Sequence, residues 1–590
     1  SNTNDSQGQA RLNYLRGDAS NEGAGNNYRS RGPAGNKFKL GDIVNSAPFF
    51  VGIPGFLPNG LAPVTHSSFR AAYANRQEMI YVGGNDGMLH GFDAATGNEK
   101  IAYVPSAVFY DPATSSPKLN QLTNLNYSHR FFVDGSPTVN DVFGTFTNVT
   151  GTCLSPGCWR TVLVSGLGGG GKGVFALDVT DPTGAVISGL AFSESNAQRI
   201  ALWEFNDASD MGYSYAQPTI VKMNDGSWAA VFGNGYNSVN ERPVLFIVNA
   251  ITGALIQKII LNATTGASNG LSTPAVVDKD GDFVADYIFA GDLQGNMWKI
   301  DVTANSSSSW RSFYRSGSTN KPLYKATDDS GVAQPITQRP EIGDQPTGQG
   351  GYMVYFGTGR YVAATDNTPA ASPVHTFHGV WDRNTTTSET VPNAASAAVA
   401  RTRLRAQTIG TATVATQTVR SVTNNTIDVW DDSGSGCNTT GTTRCMGWRA
   451  DLLTAASSTL GEMSVSNSVL LGGGLPRIIF TTLIPTNVAC SFGGTSWLME
   501  LNPVNGGRLP DQVFDVNGDG LVDSADMISG TTPVAGIGSD IGIMPEPVIV
   551  RDPANKRDLK LVAGSSGTVK SIKNYVNKSS GGRQSWRQLR

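Results

Sequence analysis

The chain of 590 residues contains little charge and no long hydrophobic run. Charged side chains make up 15% of it, and its formal net charge is −3 at pH 7. It therefore lacks the basic surface of a nucleic-acid-binding protein and any general attraction to an anionic membrane. From this charge we predict no nucleic-acid partner. Because no run of 18 or more apolar residues occurs, we also predict no membrane-spanning segment.

Catalytic motifs are also absent from the sequence. There are 5 histidines, and no nucleophile elbow, zinc-protease helix or Walker lysine loop is found. The segment "GLGGGGKGVF" (166–175) superficially resembles a phosphate loop, but no Ser or Thr follows Lys172 and the segment aligns with a repeat described below. The chain is therefore predicted not to be an enzyme.

The 5 cysteines suggest two short disulfide loops. Cys153 and Cys158 flank a Pro-Gly turn, and Cys437 and Cys445 can close a similar loop. Metal binding is the alternative, although no histidine lies beside either pair. Cys490 is left over and its partner stays open. Disulfides would indicate the periplasm or the cell surface.

Glycine, in contrast, is abundant, with 69 residues, as expected of many short strands joined by tight turns. One phrase recurs seven times: a glycine-rich turn, a short apolar strand, an Asp or Asn, and often another turn. Its copies lie at 82–97, 166–184, 232–253, 290–302, 356–383, 491–507 and 562–574.

A second phrase, a small polar residue followed by Pro and an apolar strand, precedes most of these copies. It occurs at 45–52, 135–142, 216–223, 272–278, 338–344 and 545–550, and "SNSVLLGG" (466–473) replaces it before the sixth copy. Two strand phrases per unit predict an all-β, seven-bladed β-propeller with loop insertions. Separate β-sandwiches are the alternative, but they would not need the same phrase seven times.

Composition also suggests boundaries within the chain. Residues 1–35 are polar and rich in Gly and Asn, so we expect a poorly ordered lead-in before a propeller at 36–580. A Thr-, Ala- and Ser-rich stretch at about 384–440 is predicted to be an insertion at the blade edges, with one helix at 394–407. We expect the ring to close by bringing residues 40–52 close to residues 545–575.

The segment "VDKDGDFVAD" (277–286) places four aspartates in nine positions. Four like charges so close repel one another, and either water or a bound cation must offset the repulsion. Carboxylates at positions 1, 3, 5 and 9, with a backbone carbonyl at position 7, follow the ligand alternation of a calcium loop. The predicted ligands are Asp278, Asp280, Asp282, the carbonyl of Val284, and Asp286.

A second acidic loop, "DVNGDGLVDSAD" (515–526), follows the twelve-residue calcium pattern more fully. It lies in the connection at about 508–544, which leads to the last blade. Its shorter Asp at position 12, where Glu is usual, makes bidentate ligation less sure. The predicted ligands are Asp515, Asn517, Asp519, the carbonyl of Leu521, Asp523 and Asp526.

Several segments, in order along the chain, resemble the C-terminal domain of the PilY family of type IV pilus biogenesis proteins. They are "NYLRGD", "LGDIVNSAPFFVG", "MIYVGGNDGMLHGFDAATG", "FFVDGSPTV", "GLGGGGKGVFALDVTDP", "ADYIFAGDLQGNMWKID" and "GGTSWLMELNPVNGGRL". The resemblance covers most of residues 10–575. The long N-terminal region of the family is not in this sequence, which suggests a piece of a longer secreted protein.

The resemblance implies a modified seven-bladed propeller, similar in fold to quinoprotein dehydrogenases. It also implies a role in pilus biogenesis, in surface and host-cell adhesion, and in calcium-dependent control of pilus extension against retraction. Implied partners are minor pilins and a host-cell receptor, and the implied location is the pilus tip or cell surface, or the periplasm or outer membrane in transit. In the family a calcium loop precedes the "AGDL" phrase, at the position of 278–286 here.

Two further inferences depend on this resemblance. Arg16, Gly17 and Asp18 form an "RGD" that is similar to an integrin-binding motif of some members, but the same letters belong to the family's ordinary lead-in phrase. The rival function is a quinoprotein-like dehydrogenase that uses pyrroloquinoline quinone. Those enzymes hold their quinone with two adjacent cysteines, and this sequence has no adjacent pair.

Overall fold

The computed structural model describes residues 6–575 with internal gaps. The residues outside the description are 1–5, 24, 26, 34, 149–152, 154–156, 371, 385–396, 432–436, 438–443, 455–459, 473–474, 489–490, 553–556 and 576–590. Cys490 is among them.

Seven sheets, built mainly of antiparallel strands, follow one another along the chain, and they confirm the predicted seven-bladed propeller. Each proline-containing phrase, and the one that replaces it, leads into the first strand of a blade. Each glycine-rich phrase marks the turn between the second and third strands, where positive φ angles recur, as at Gly87 and Gly295. The repeat in the sequence is therefore a repeat of blades.

The first three blades each contain four consecutive antiparallel strands. These are β1 Phe49–Val51, β2 Met79–Gly83, β3 Leu89–Asp93 and β4 Glu99–Tyr103; β5 Thr138–Gly144, β6 Cys158–Gly166, β7 Val174–Asp178 and β8 Ala201–Phe205; β9 Thr219–Met223, β10 Trp228–Gly233, β11 Val244–Asn249 and β12 Leu255–Ile260.

Blade 4 is joined to blade 3 by one short strand, β14, which pairs with β9. Strand β14, Val284–Ala285, thus belongs to the sheet of blade 3, while blade 4 contains β13 Ala275–Val277, β15 Tyr287–Gly291, β16 Asn296–Asp301, β17 Arg311–Ser312 and β20 Tyr324–Lys325, beside a ribbon of β18 Arg315–Ser316 and β19 Thr319–Asn320. Blade 5 contains β21 Glu341–Asp344, β22 Tyr352–Gly357, β23 Thr376–Asp382, β24 Arg405–Gln407 and β29 Gly447–Asp451.

The predicted insertion widens blades 5 and 6, because β24 joins the first and β25 and β26 join the second. Blade 6 contains β25 Ile409–Val414, β26 Gln417–Val422, β30 Val469–Leu471, β31 Arg477–Pro485, β32 Gly494–Leu501 and β33 Gly536–Gly538, and a small ribbon pairs β27 Val429–Trp430 with β28 Arg444–Cys445. Blade 7 has three strands, β34 Val548–Asp552, β35 Arg557–Ala563 and β36 Val569–Tyr575.

Helices are short, and all but the first lie between strands. The α-helices are α1 Gly8–Leu15, α2 His66–Ala72 and α3 Ala197–Ile200. The 3-10 turns are Ser106–Val108, Leu119–Thr123, Gly168–Gly170, Ser188–Leu190, Glu194–Asn196, Ser307–Ser309, Ala364–Asn367, Arg401–Arg403 and Ser524–Asp526. None of the helices within the described ranges has the length and apolar character needed to cross a bilayer.

Hydrophobic cores lie between neighbouring blades. Successive clusters join blades 1 and 2, 2 and 3, 3 and 4, then 4 to 6 together, and finally 6 and 7. Buried ion pairs add to two of these interfaces: Lys299 lies 2.7 Å from Asp382 between blades 4 and 5, and Lys560 lies 2.5 Å from Glu500 between blades 6 and 7. Each buried charge therefore has a partner on the next blade.

The two end blades differ from the others. In the described residues, no hydrophobic cluster contains both blades 1 and 7, and β1 pairs with β2 alone. No strand pairing links residues 40–52 to residues 545–575 in the described residues, and the expected proximity of the two segments stays a prediction. Apolar side chains on these blades are exposed, including Phe50 at 56%, Val548 at 63% and Val569 at 67%.

The lead-in is more ordered than its composition predicts. Tyr14 in helix α1 and Tyr28 in the segment that follows are 2% and 3% exposed, with ring centroids 5.5 Å apart. Arg31 pairs with the buried Glu22 at 2.6 Å, and the backbone N–H of Arg29 donates to the carbonyl of Thr123 in the connection between blades 1 and 2. The expectation of disorder is wrong for the described part, because these contacts offset the entropy of ordering it.

The helix predicted at 394–407 is wrong as well. Residues 394–396 are outside the description, and the rest form the 3-10 turn Arg401–Arg403 and strand β24. Strand β24 pairs in parallel with β29, and Arg401 binds Asp451 at 2.9 Å. Pairing with blade 5 thus overrides the helical propensity of this Ala- and Arg-rich stretch.

Both predicted disulfides are present in the structure. Cys153 and Cys158 have Cα atoms 5.3 Å apart and close the loop between β5 and β6. Cys437 and Cys445 have Cα atoms 5.0 Å apart and close the loop that leads into β29. Both bridges are local, so each stabilises one loop.

Candidate metal centre

The first acidic loop begins where β13 ends. Asp278 follows Val277 directly, and its carboxylate accepts the backbone N–H groups of Gly281 at 2.7 Å and Phe283 at 2.8 Å. Gly281 has φ +81°, a left-handed conformation that glycine adopts at little cost. Asp278 thereby holds the chain in a tight turn.

The loop then contacts blade 3 before it returns to blade 4. Val284 in β14 pairs with Lys222 in β9, and the side chains of Phe283 and Val284 pack against the core between blades 2 and 3. The N–H of Asp286 donates to the carbonyl of Val277 at 2.8 Å, which closes the loop at its base. The loop is therefore fixed to two blades.

This geometry brings three carboxylates together. Oxygen atoms of Asp278, Asp280 and Asp286 all lie within 4.8 Å of one another, with Asp278 and Asp286 buried and Asp280 exposed. No other such group of acids, histidines or cysteines occurs among the residues that the structure describes. An all-oxygen set of this kind fits a hard cation and offers nothing to a metal that prefers nitrogen or sulfur.

The charge in this cluster is only partly offset by the protein. Burial raises the pKa of Asp286, and the carboxylate of Asp280 raises it further, while contacts with Lys279 oppose the rise. Lys279 donates its backbone N–H to Asp286 at 2.8 Å, and its ammonium lies 3.4 Å away. The net pKa is raised, so the ionised form is disfavoured and a cation would stabilise it.

Asp282 and Val284 stand slightly apart from the three acids. One oxygen of Asp282 accepts the N–H of Val284 at 2.8 Å, and Asp282 is not a member of the converging group. Burial raises the pKa of Asp282, as do the carboxylates of Asp280 and Asp278, against the hydrogen bond from Val284. The structure thus unites three of the four predicted carboxylates and leaves the fourth at the rim.

The second acidic loop has a different geometry. Asp515 accepts the backbone N–H groups of Gly518 at 2.8 Å and Gly520 at 3.0 Å. Asp526, fully buried, accepts those of Val516 at 2.7 Å and Asn517 at 3.0 Å.

Other predicted ligands of this loop form hydrogen bonds with residues close by in the sequence. Asp523 caps the turn Ser524–Asp526, and Asp519 accepts from Asn517 and from the N–H of Leu521. No three acids of the loop converge as those of the first loop do. Metal binding at 515–526 stays a prediction.

The "RGD" triplet forms the end of helix α1. Gly17 has φ +98° and its N–H donates to the carbonyl of Tyr14, as expected of a helix-terminating glycine. Arg16 pairs with Glu194 at 2.6 Å, and Asp18 accepts the N–H of Ser20 at 2.8 Å. A structural role accounts for the glycine, while Arg16 and Asp18 remain exposed.

Three of the 5 histidines contact acidic side chains, and the other two are buried. His66 contacts Asp141 at 2.9 Å, and His90 lies between Asp86 at 3.0 Å and Glu99 at 2.6 Å. His129 contacts Asp42 at 2.7 Å. Burial lowers the pKa of His375 to about 4 and that of His378 well below its usual value.

Sequence reasoning missed the role of two lysines beside the first loop. Lys279 contributes a bond to Asp286, and Lys222 pairs with Val284 across β9 and β14. A lysine between two aspartates is a signal for the first, since it would partly neutralise them. No sequence signal marks Lys222, because its contact depends on β14 crossing to another blade.

Comparison with known proteins places the chain in a family. The model of the PilY1 beta-propeller domain matches residues 40–417. The type IV pilus biogenesis factor PilY1 of Pseudomonas aeruginosa strain PAK is 36% identical over 544 residues, which are 88% of this chain and 42% of that protein. The chain therefore belongs to the PilY1 beta-propeller family.

Two further similarities agree with this assignment. A PilY1 homologue of Xylella fastidiosa strain Temecula1 is 34% identical over 629 residues, covering 98% of this chain and 38% of the homologue. The crystal structure of the Pseudomonas aeruginosa PilY1 C-terminal domain matches with a TM-score of 0.67 and 32% identity, covering 89% of this chain and 99% of that one. The chain spans about two fifths of the length of these full relatives.

Proposed function

We propose that this propeller is a calcium-responsive, non-enzymatic part of a type IV pilus biogenesis protein. The observation that carries the calcium proposal is the convergence of Asp278, Asp280 and Asp286 on one point. The pilus role is supported by the names of the relatives, which cover most of this chain.

The proposed ion is Ca²⁺, held by the three converging carboxylates and completed by Asp282 and the carbonyl of Val284. Calcium tolerates six to eight oxygen ligands in irregular geometry, whereas Mg²⁺ demands a near-ideal octahedron. The loop has no twelfth-position bidentate acid, so we expect a dissociation constant of roughly 10⁻⁶ to 10⁻³ M.

The site would act on the fold because its loop contacts two blades. An ion that binds only the folded loop stabilises it by mass action. Here it would fix β14 against β9 and so tighten blade 3 against blade 4. We propose that this change controls pilus extension against retraction, with minor pilins as partners at the pilus tip or cell surface.

Adhesion to surfaces and host cells is part of the same proposal. The two disulfides support an extracytoplasmic location. A non-enzymatic role is supported by the structural contacts of the histidines described above. The exposed Arg16 and Asp18 are the residues through which a receptor that recognises "RGD" would bind.

The first test is calcium titration by calorimetry on this chain and on Asp280→Asn, with Asp519→Asn as the matched control in the second loop. Asp280→Asn should weaken the first-loop site at least tenfold, whereas Asp519→Asn should leave that site unchanged. Unchanged calcium binding in Asp280→Asn would overturn the metal assignment.

The second test is made in cells whose full-length protein carries the same substitutions. Asp280→Asn should alter the balance of surface pili and twitching without abolishing export of the protein, and Asp519→Asn should not. Normal pilus extension with a proven loss of calcium binding would overturn the regulatory role.

A further inference from the structure

A buried cluster at the junction of blades 6 and 7 combines a lysine, an asparagine and a glutamate. Lys560 lies in β35 and Asn574 in β36, while Glu500 lies in β32 of the neighbouring blade. All three residues are fully buried, with 0% of their surface exposed. The amine, the amide and the carboxylate are therefore shut off from solvent together.

The strand register places the lysine and the asparagine on one face of blade 7. Lys560 is opposite Ile572, and Asp558 is opposite Asn574, so Lys560 and Asn574 are diagonal neighbours on adjacent antiparallel strands. Side chains in this arrangement are within reach of each other when one of them is long. The amine of Lys560 can therefore meet the amide of Asn574 without any change in the sheet.

One carboxylate contacts both side chains. The Oε1 of Glu500 lies 2.5 Å from the Nζ of Lys560 and accepts a hydrogen bond from the Nδ2 of Asn574 at 2.6 Å. Its other oxygen, Oε2, lies 3.0 Å from the Nε of Arg477, which holds the carboxylate in this orientation. Glu500 is thus positioned to pass a proton from the amine nitrogen to the amide nitrogen.

The amine and the amide are both in a reactive setting. Burial lowers the pKa of Lys560 to about 8, although the charge of Glu500 opposes this shift. Part of the amine is therefore uncharged, and hence nucleophilic, near neutral pH. The Oδ1 of Asn574 is buried and accepts no hydrogen bond from any described residue. An ion pair between Lys560 and Glu500 would need neither this asparagine nor the cost of its unpaired oxygen.

Apolar side chains exclude water from the cluster. Val562 and Ile572 belong, with Phe514, to the hydrophobic core between blades 6 and 7. The ring centre of Phe514 lies 5.8 Å from the Nζ of Lys560. A dry site prevents water from competing with the amine for the carbonyl carbon of the amide.

We propose that Lys560 and Asn574 become joined by an amide bond between their side chains, with Glu500 as the proton-transfer group. The uncharged Nζ of Lys560 attacks the Cγ of Asn574 and forms the new C–N bond, while the bond from Cγ to Nδ2 breaks. Glu500 carries the proton that Nζ loses to Nδ2, which leaves as ammonia. Nothing is oxidised or reduced, and no other reactant is needed.

The bond links the last two strands of blade 7 covalently. It closes residues 560–574 into a loop that stays connected even when the hydrogen bonds between β35 and β36 are broken. Unlike the two disulfides, this link is not broken by thiols. It requires neither calcium nor a pilus partner, so it can be tested on this chain alone.

The test is mass spectrometry of the intact chain after denaturation and reduction. The parent should weigh about 17 Da less than its sequence requires, because the lysine amine displaces ammonia. Trypsin should then release residues 558–570 joined to residues 574–578, because it does not cleave after a lysine whose amine is acylated. A parent chain with its full mass would overturn the proposal, whatever the variants show.

Two substitutions test the roles within the cluster. Lys560→Met removes the nucleophile and Glu500→Gln removes the proton carrier, so each variant should show the full mass of its own sequence. Lys570→Met is the matched control, because Lys570 is also a lysine of blade 7 but is partly exposed and pairs with Asp540 at 2.7 Å. The control should keep the loss of mass. A loss that persists in Glu500→Gln would overturn the role of Glu500.

Two other reactions would release the same mass, and the experiment separates them. An asparagine can lose ammonia by closing a ring with its own backbone, and that loss would persist in Lys560→Met and overturn the proposal. Lys299 lies 2.7 Å from Asp382 and donates to the Oδ1 of Asn384 at 2.8 Å. A joined peptide that contains Lys299, without the link between residues 560 and 574, would overturn the assignment to blade 7.

Discussion

The two acidic loops have similar sequences but different structures. Both alternate acidic residues around glycine, yet only residues 278–286 bring three carboxylates within 4.8 Å in the described structure. That loop is fixed at both ends by β13 and β15 and in its middle by β14. The loop at 515–526 satisfies its acids with its own backbone N–H groups. Convergence thus requires strands that hold the loop, in addition to ligand spacing.

The largest expected difference between the loops is in stability. Asp278→Ala should lower the free energy of unfolding by about 2–4 kcal/mol, because a buried carboxylate that holds several backbone N–H groups is lost. Asp515→Ala, in a more exposed turn, should cost about 0.5–1.5 kcal/mol. Urea unfolding of the metal-free variants measures both, and equal losses would show that the first loop is no more firmly anchored than the second.

The rise in melting temperature that calcium causes should distinguish the two loops. Calcium at a hundred times the dissociation constant stabilises a one-site protein by about 2.7 kcal/mol. The parent chain and Asp519→Asn should therefore melt at a higher temperature with calcium than with chelator, and Asp280→Asn should lose most of this increment. A full increment in Asp280→Asn would point to the second loop as the main site.

The pH should change both the stability of the first loop and its calcium affinity, through the protonation of Asp286. Its pKa is raised by burial, so the folded metal-free protein holds this proton more tightly than the unfolded chain does. Stability without metal therefore falls as the pH rises above the usual aspartate value, whereas calcium affinity rises over the same range because protons leave the site. Titration calorimetry at several pH values checks this, and Asp286→Asn should reduce the dependence to the part that Asp282, whose pKa is also raised, contributes.

The smallest expected effect is on the melting temperature without metal, which should change in opposite directions when the two loops are substituted. Without metal, Asp280→Asn should raise the melting temperature by about 1 °C, because one of three mutually repelling carboxylates is neutralised. Asp519→Asn should lower it slightly, since Asp519 accepts hydrogen bonds from Asn517 and Leu521. Differential scanning calorimetry in chelator resolves the signs.

The sequence predicted the blade repeat well because the pattern is local. Glycine turns and the strands beside them depend on nearby residues, and they occur as expected at Gly87 and Gly295. The strand at 405–407 and the contact of β14 with β9 could not be predicted, because each depends on a partner strand far away in the chain. The order of the described part of the lead-in was missed partly for the same reason, since Arg29 binds the distant Leu122 and Thr123.

The linear succession of blades has a mechanical consequence. No strand of blade 1 pairs with blade 7 in the described residues. A force that pulls these two blades apart would therefore not be resisted by backbone hydrogen bonds between their strands. The load would fall first on the three-stranded blade 7, whose last strand, β36, is held by β35 and by the contacts of Asn574 with Phe514 and Glu500. Blades 5 and 6 would then yield together, because residues 405–422 supply strands to both. Under tension this propeller would unfold from its C-terminal end in discrete steps.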